Sequence, residues 1–167
     1  MDTITQEQEN QLLQLYAHVS KEAARMEMYA LRAQKDNRAD LAQLHTALAI
    51  SHKAQAHRFL LQVRGTVGDS ATNNTQTLSE ELPALKTLYQ RMAAEADKTN
   101  NTALITSSDH SLKINRLLTQ MVQKHEQKQP PATYHVCEFC GFIATEKEPP
   151  CCPVCTAASR RFIKVEQ

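Results

Sequence analysis

Four cysteines near the end of the chain have the spacing of a metal site. Cys137 and Cys140 form one Cys-x-x-Cys pair, and Cys152 and Cys155 form a second pair after eleven intervening residues. Two such turns allow four thiolates to converge on one tetrahedral ion. We therefore predict a mononuclear metal site. Sulfur ligation by itself suits both iron and zinc.

Cysteine is confined to this short stretch. All five cysteines lie between positions 137 and 155. A disulfide framework would place its bridges across the whole fold, so the crowding indicates a local metal site in a reducing compartment. We therefore expect a cytoplasmic protein. Cys151 stands beside a predicted ligand and is interpreted as a bystander, with an exposed redox-reactive thiol as the alternative.

The overall charge excludes two classes of partner. The chain carries 19 basic and 18 acidic residues, which gives a net charge of +1. No excess of positive charge would hold it to nucleic acid or to an anionic membrane surface. No stretch approaches the roughly 18 consecutive apolar residues of a membrane span. We predict a protein that binds neither nucleic acid nor membrane.

The residues before the cysteines have the apolar periodicity of long helices. Thr5 and Gln8 form a capping box, and a break is predicted near Asp36 and Asn37. The first apolar stripe comprises Leu12, Leu15, Tyr16, Val19, Ala23, Met26, Tyr29, Ala30 and Ala33. The second comprises Leu41, Leu44, Leu48, Ala56, Phe59, Leu60 and Val63. The short break predicts that these two helices pack antiparallel.

Two further helices are predicted after a longer connection. Residues 65–77 are small, polar and punctuated by glycine, which predicts a loop. Thr77 and Glu80 form a capping box for the third helix, and a break at 98–102 precedes the fourth. Four helices with one long middle connection predict a bundle of ferritin-like connectivity. The alternative is a helical adaptor without a site.

With the helices and the cysteine pairs in place, the chain resembles the rubrerythrin family. The resemblance rests on the stretch Tyr134–Ile143, on Pro149–Pro150, on the second cysteine pair and on Phe162. Thr156 departs from the family pattern, in which glycine commonly follows the last cysteine. The resemblance implies that the metal of the four-cysteine site is iron, with zinc as the alternative.

The resemblance also implies an architecture. It gives a mostly α fold, in which a ferritin-like four-helix bundle at 1–128 and a linker at 129–133 precede a small rubredoxin-like domain of strands and loops at 134–167. In that family the bundle binds two irons through carboxylates and a histidine and reduces hydrogen peroxide.

The comparison implies a degenerate bundle site. Glu22 matches the glutamate of the first helix, because it stands seven residues before Tyr29. His52 and Gln55 replace the glutamate and histidine of the second helix, and Glu81 keeps the first carboxylate of the third. Two carboxylates are too few to balance two metal cations, so we expect no second metal and no peroxidase of the family type. A mononuclear site of Glu22, His52 and Glu81 is the alternative.

Two other groups of residues are of types that occur in redox proteins. His45 and His52 are two helical turns apart, as haem or metal ligands sometimes are, but such pairs are common and we assign them no haem role. Four further histidines are interpreted as exposed or structural: His57, His110, His125 and His135. The basic residues Arg160, Arg161 and Lys164 would steer an acidic redox partner, although a solvated surface accounts for them as well.

The leading hypothesis is an electron-transfer protein or redox subunit. In this hypothesis the four-cysteine iron exchanges electrons with a partner protein. The bundle serves as a scaffold for dimerisation or docking, so the protein is a homodimer or a subunit of a larger redox complex. The alternatives are a rubrerythrin-type peroxidase with a modified bundle metal site and a zinc-bearing interaction module. Catalytic residues stay unassigned.

Overall fold

The structure is a computed structural model that describes residues 4–64, 67–125, 131 and 133–165. The chain divides into two compact units, Met1–Gly68 and Asp69–Gln167. Most described residues are helical, and the strands all lie after residue 133, which confirms the predicted fold class. Within the described residues, no helix has both the length and the apolar content needed to span a membrane.

The first unit is an antiparallel pair of long helices, α1 (Gln6–Lys35) and α2 (Ala39–Arg64). The predicted capping box is present: the Thr5 side chain accepts a hydrogen bond from the Gln8 amide, and the Gln8 side chain accepts one from the Thr5 amide. The predicted break is also confirmed, since Asn37 adopts a φ of 56° in the turn. An ion pair between Lys53 and Glu27 joins the two helices.

Alanine forms the seam between α1 and α2. The buried residues of the pair are Ala23, Ala30, Ala33, Ala42, Ala49 and Ala56. Many of the larger apolar side chains point outward; Leu31, Leu44 and Ile50 are 52%, 53% and 64% exposed. The first predicted stripe contains three of these alanines, but the second contains only Ala56. Ala42 and Ala49 were not predicted, and Leu44 and Leu48 of the second stripe are exposed, as are Leu15 and Tyr29 of the first.

The second unit begins with a helix where a loop was predicted. α3 (Ser70–Gln76) starts at Asp69, whose side chain accepts a hydrogen bond from the Thr72 amide at 2.8 Å. The loop prediction for 65–77 is wrong over α3, because this N-cap starts a helix in a polar sequence of weak helix propensity. Residues 65 and 66 of that predicted loop lie outside the described residues.

A π-helical turn, Thr77–Glu81, joins α3 to α4 (Leu82–Lys98). The predicted helix start at Thr77 is wrong, because the Thr77 hydroxyl donates backward to the carbonyl of Asn73 at 3.0 Å and the helix continues through it. α5 (Thr102–His125) follows the predicted break and packs against α4. Its buried Asn115 donates a side-chain hydrogen bond to the Leu82 carbonyl at 3.1 Å.

A three-stranded antiparallel sheet ends the second unit. Strands β1 (Tyr134–Cys137), β2 (Ile143–Thr145) and β3 (Phe162–Val165) lie in the order β2-β1-β3. A short 3₁₀ turn, Ser159–Arg161, leads into β3. Residues 129, 130 and 132 of the predicted linker lie outside the described residues, and the predicted domain limits stay a prediction.

Candidate metal centre

The first cysteine turn leaves the end of the central strand. Cys137 is the last residue of β1, and its amide donates to the Phe142 carbonyl at 2.8 Å. The Gly141 amide then closes the turn on the Cys137 carbonyl at 2.9 Å. Gly141 has a φ of 80°, which glycine adopts without a steric penalty. These bonds bring Cys140 back beside Cys137.

The second cysteine turn repeats the first. The Cys152 amide donates to the Ala157 carbonyl at 2.8 Å, and the Thr156 amide donates to the Cys152 carbonyl at 2.9 Å. The positions match those of the first turn one for one. Thr156 takes the place of Gly141 and has a φ of 62°. The departure from glycine noted in the sequence therefore puts a β-branched residue in the left-handed region, where such residues are rare.

The two turns bring the four predicted sulfur ligands together. The ligand atoms of Cys137, Cys140, Cys152 and Cys155 all lie within 4.8 Å of one another. Two of the sulfur–sulfur distances cross between the turns: Cys137 to Cys155 is 3.7 Å and Cys140 to Cys152 is 3.5 Å. A tetrahedron with metal–sulfur bonds of about 2.3 Å has edges of about 3.8 Å. The group can therefore hold one tetrahedral metal ion.

Burial and backbone amides act on the acidity of these thiols in opposite directions. Burial raises the pKa of Cys140 and Cys155 above the usual value for a thiol. Burial also acts to raise the pKa of Cys152, but hydrogen bonds from the amides of Cys155 and Val154 outweigh it, and the pKa lies below its usual value. Amide dipoles aimed at sulfur favour the thiolate, the form that binds a metal. A bound cation would stabilise the remaining thiolates.

The sulfurs are covered on one side and reachable on the other. Cys137 and Cys152 are buried, whereas Cys140 and Cys155 are partly exposed. Phe139, between the first two cysteines, is 76% exposed and projects an aromatic ring from the first turn. A metal ion bound by these sulfurs would therefore be shielded from solvent on the side of Cys137 and Cys152. On the other side, only the side chains of Cys140 and Cys155 would separate it from solvent.

A buried histidine lies next to the four cysteines. His135 is 6% exposed, and its Nδ1 is 3.2 Å from a carboxylate oxygen of Glu148. Side chains alternate along a strand, so His135 and Cys137 share one face of β1. This alternation could be inferred from the sequence. The contact with Glu148 could not, because no sequence pattern predicts where the loop that carries Glu148 lies relative to β1.

Cys151 has surroundings unlike those of the four ligands. It is exposed, and its backbone pairs with Ala158 in an isolated bridge. Its sulfur lies outside the group that can hold a metal. The interpretation of Cys151 as a bystander is consistent with this position, and a redox role for it stays a separate prediction.

The predicted bundle residues are distributed over the two units. In the first unit, Glu22 forms ion pairs with Arg25 at 3.2 Å and with Lys21 at 3.8 Å. His52 is half-buried, and Gln55 donates to the Ser51 hydroxyl at 3.4 Å. The cations beside Glu22 balance its charge without a metal.

Glu81 lies in the second unit, at the end of the π-helical turn. Its carboxylate accepts a hydrogen bond from the Thr77 hydroxyl at 3.2 Å. π-Helical turns occur frequently at functional sites. The role of Glu81 as a ligand stays a prediction.

The histidine pair on α2 is half-buried. Tyr29 meets the His45 ring edge-on, with ring centroids 5.5 Å apart. Within the described part of the chain, the Nδ1 atoms of His45 and His52 are buried without a hydrogen-bond partner.

A comparison with solved structures finds the same fold in nigerythrin, a rubrerythrin-family protein. The fully reduced, all-ferrous state of nigerythrin matches with a TM-score of 0.51 and 15% identity, over 98% of this chain and 89% of that chain. The partially reduced and mixed-valence states match with TM-scores of 0.47 and 0.43, at 15% and 14% identity, over the same shares of both chains. No protein-family model and no curated protein matches the sequence. The chain therefore has a nigerythrin-like fold.

Proposed function

We propose that this protein is a one-electron carrier or redox subunit that holds a single iron ion in the four-cysteine site. The observation that carries the proposal is the arrangement of the four sulfurs, whose edges of 3.5 and 3.7 Å suit a tetrahedral ion. An iron ion with four thiolate ligands exchanges one electron between its ferric and ferrous states. Thiols kept free of disulfides suit a reducing cytoplasm.

The fold supports iron over zinc as the metal of this site. Tetrahedral thiolate sites accept both metals, so the ligands do not decide between them. Nigerythrin, which has the same fold, was observed in an all-ferrous state. A zinc ion would leave a structural module without a redox step.

Electrons would enter and leave through the first cysteine turn. The partly exposed Cys140 lies in the same turn as Phe139, which offers a large aromatic contact to a partner protein. Exposed Arg160 adds positive charge near the end of the module, while Arg161 is engaged with Glu138 at 3.8 Å. A redox partner with an acidic surface would complement this charge.

The helical part acts as a scaffold for dimerisation or docking in this proposal. The α1–α2 seam buries alanines, so the larger apolar side chains of the pair are left on its surface. A stable helical protein covers such side chains, and a second copy of the chain is the partner that we propose. The ion pairs of Glu22 fit a scaffold without a second metal, as does the replacement of family ligands by His52 and Gln55.

The test is metal content and colour. Full-length protein purified without added metal is expected to contain one iron per chain and to show ferric–thiolate absorption that dithionite bleaches and ferricyanide restores. Cys137→Ala is expected to abolish this cycle, because it removes a ligand from the buried side of the cluster. Cys151→Ser is the matched control and is expected to retain the cycle.

Each contrary result has a distinct meaning. One zinc per chain and no colour would replace the electron carrier with a structural module. Two or three irons per chain, with oxidation by hydrogen peroxide faster than in a Glu22→Ala, Glu81→Ala variant, would establish a peroxidase and contradict the proposed scaffold role.

A further inference from the structure

The second cysteine turn is joined to the first by two chain segments. Residues 146–150 lead from β2 to the second turn, and residues 159–161 return from it to β3. Both short sulfur–sulfur distances cross between the turns. The relative position of the turns therefore decides whether the four sulfurs form a tetrahedron.

The returning segment is fixed to the first turn by its backbone. The Glu138 amide donates to the Arg161 carbonyl at 2.8 Å, and Phe162 then pairs with Cys137 in the sheet. These contacts attach the second turn to β1 from one side. They depend on backbone groups, which any residue supplies.

Among the described residues, the leading segment is attached to the start of β1 by its backbone at its first residue only, where the Glu146 amide donates to the Thr133 carbonyl at 3.1 Å. Pro149 and Pro150 have no amide hydrogen, and the Lys147 amide bonds locally to the Thr145 carbonyl at 2.8 Å. The side chain of Glu148 reaches back to β1 and meets His135 at 3.2 Å. This side-chain contact is therefore an attachment to β1 that lies nearer the second cysteine turn than the backbone bond of Glu146 does.

We propose that His135 and Glu148 are positioning residues that hold the second cysteine turn in metal-binding geometry against the first. His135 suits this role because it is 6% exposed and shares the face of β1 that carries Cys137. A buried imidazole with a fixed partner leaves the strand little freedom to shift. The inference rests on the proposed metal binding but not on which metal is bound.

The experiment measures how fast the full-length, zinc-loaded protein loses its metal to a colorimetric chelator. Glu148→Ala removes the contact and is expected to release zinc about tenfold faster than the unmodified chain. Glu148→Gln keeps an acceptor oxygen, so its release rate is expected to stay within about threefold of the unmodified chain. Glu138→Ala is the charge-matched control, since it removes a similarly exposed carboxylate beside Cys137 whose own contact, with Arg161, is longer at 3.8 Å.

A second readout separates positioning from general stability. In the iron-loaded protein, Glu148→Ala is expected to shift the ferric–thiolate absorption bands, while helix content measured by circular dichroism is unchanged. Zinc release from Glu148→Ala at the unmodified rate would overturn the proposal, as would equal acceleration by Glu138→Ala. A glutamine variant as fast as the alanine variant would also overturn it. An unmodified chain that retains neither metal would instead overturn the proposed function.

Discussion

Thr156→Gly is expected to tighten metal binding by relieving backbone strain in the second cysteine turn. Thr156 has a φ of 62°, and its counterpart Gly141 has a φ of 80°. The two residues make equivalent amide bonds, to the carbonyls of Cys152 and Cys137 at 2.9 Å in both cases. The first turn therefore shows the residue that this backbone conformation favours.

Two opposing effects set the size of the change. A residue other than glycine in the left-handed region costs about 1–2 kcal/mol. Glycine offsets about 0.5–1 kcal/mol of the gain from removing this cost, because it loses more conformational entropy than threonine when the chain folds. The hydroxyl bond from Thr156 to the Cys155 carbonyl is exposed, so water replaces it at little cost. The net gain is about 1 kcal/mol, or roughly fivefold in the metal-binding equilibrium when folding and binding are coupled.

The assay is competition for zinc between a chelator and the full-length protein. Thr156→Gly is expected to raise the apparent affinity about fivefold. Gly141→Thr is the mirror substitution and is expected to lower it by a similar factor. A side chain at Gly141 would meet nothing within 4 Å, so its cost is conformational and not a clash. The strain account is wrong if Thr156→Gly binds zinc no more tightly, or if both substitutions shift the affinity in the same direction.

Four further outcomes are expected. Ala49→Leu should lower the free energy of unfolding in urea by about 1–3 kcal/mol, because Ala49 is buried in the seam between α1 and α2. Ala54→Leu, on the exposed side of α2, should change it little, and equal effects of the two substitutions would contradict a tightly packed seam. Asn115→Leu should cost about 1–3 kcal/mol in the same assay, because it removes the buried hydrogen bond that Asn115 donates to the Leu82 carbonyl. An unchanged midpoint would show that this bond contributes little to stability. Zinc affinity should fall as pH falls from 8 to 5, because burial raises the pKa of Cys140 and Cys155 and protons then compete with the metal; a flat profile would contradict thiolate ligation. Hydrogen bonds from the Arg38 side chain and, to a lesser extent, from the Leu41 amide lower the pKa of Asp40 from 3.8 to about 2. The stabilising effect of the ionised Asp40 is therefore present above pH 4 and is lost as pH falls toward 2. The difference in urea midpoint between the unmodified chain and Asp40→Asn should vanish over that range.

The convergence of the four cysteines was the part of the fold that the sequence predicted best, because its determinants are local. Each cysteine turn is closed by bonds between residues four and five positions apart, such as Gly141 to Cys137 and Cys137 to Phe142. Spacing alone therefore brings each pair together. The His135–Glu148 contact joins residues thirteen positions apart across a loop, and spacing gives no sign of it.

The helices show a different limit. Periodicity identified the side of α1 that forms the seam, but on α2 it found only Ala56 of the buried alanines. Burial also falls on Ala42 and Ala49, which the predicted stripe omitted, while its Leu44 is exposed. An apolar stripe indicates which face of a helix is directed at its neighbour, whereas the distance between the two helix axes depends on the size of the side chains at the contact.

The prediction of a loop at 65–77 failed for a local reason. Its threonines and asparagines have low helix propensity, so a loop was the natural prediction. The structure starts a helix with the Asp69 cap, and α3 continues directly into the π-helical turn. Asp69 was a visible N-cap signal, but the polar residues after it concealed the helix.

The π-helical turn at Thr77–Glu81 also affects how this chain is aligned with relatives. A turn closed by hydrogen bonds five residues apart holds one more residue than an α-helical turn, so it absorbs a single-residue insertion without breaking the helix. Each such insertion rotates the preceding side chains by about 100° relative to those that follow. An ungapped alignment that crosses this turn therefore matches side chains on different helix faces. Glu81, its last residue, is in register with α4, and α3 requires a separate alignment.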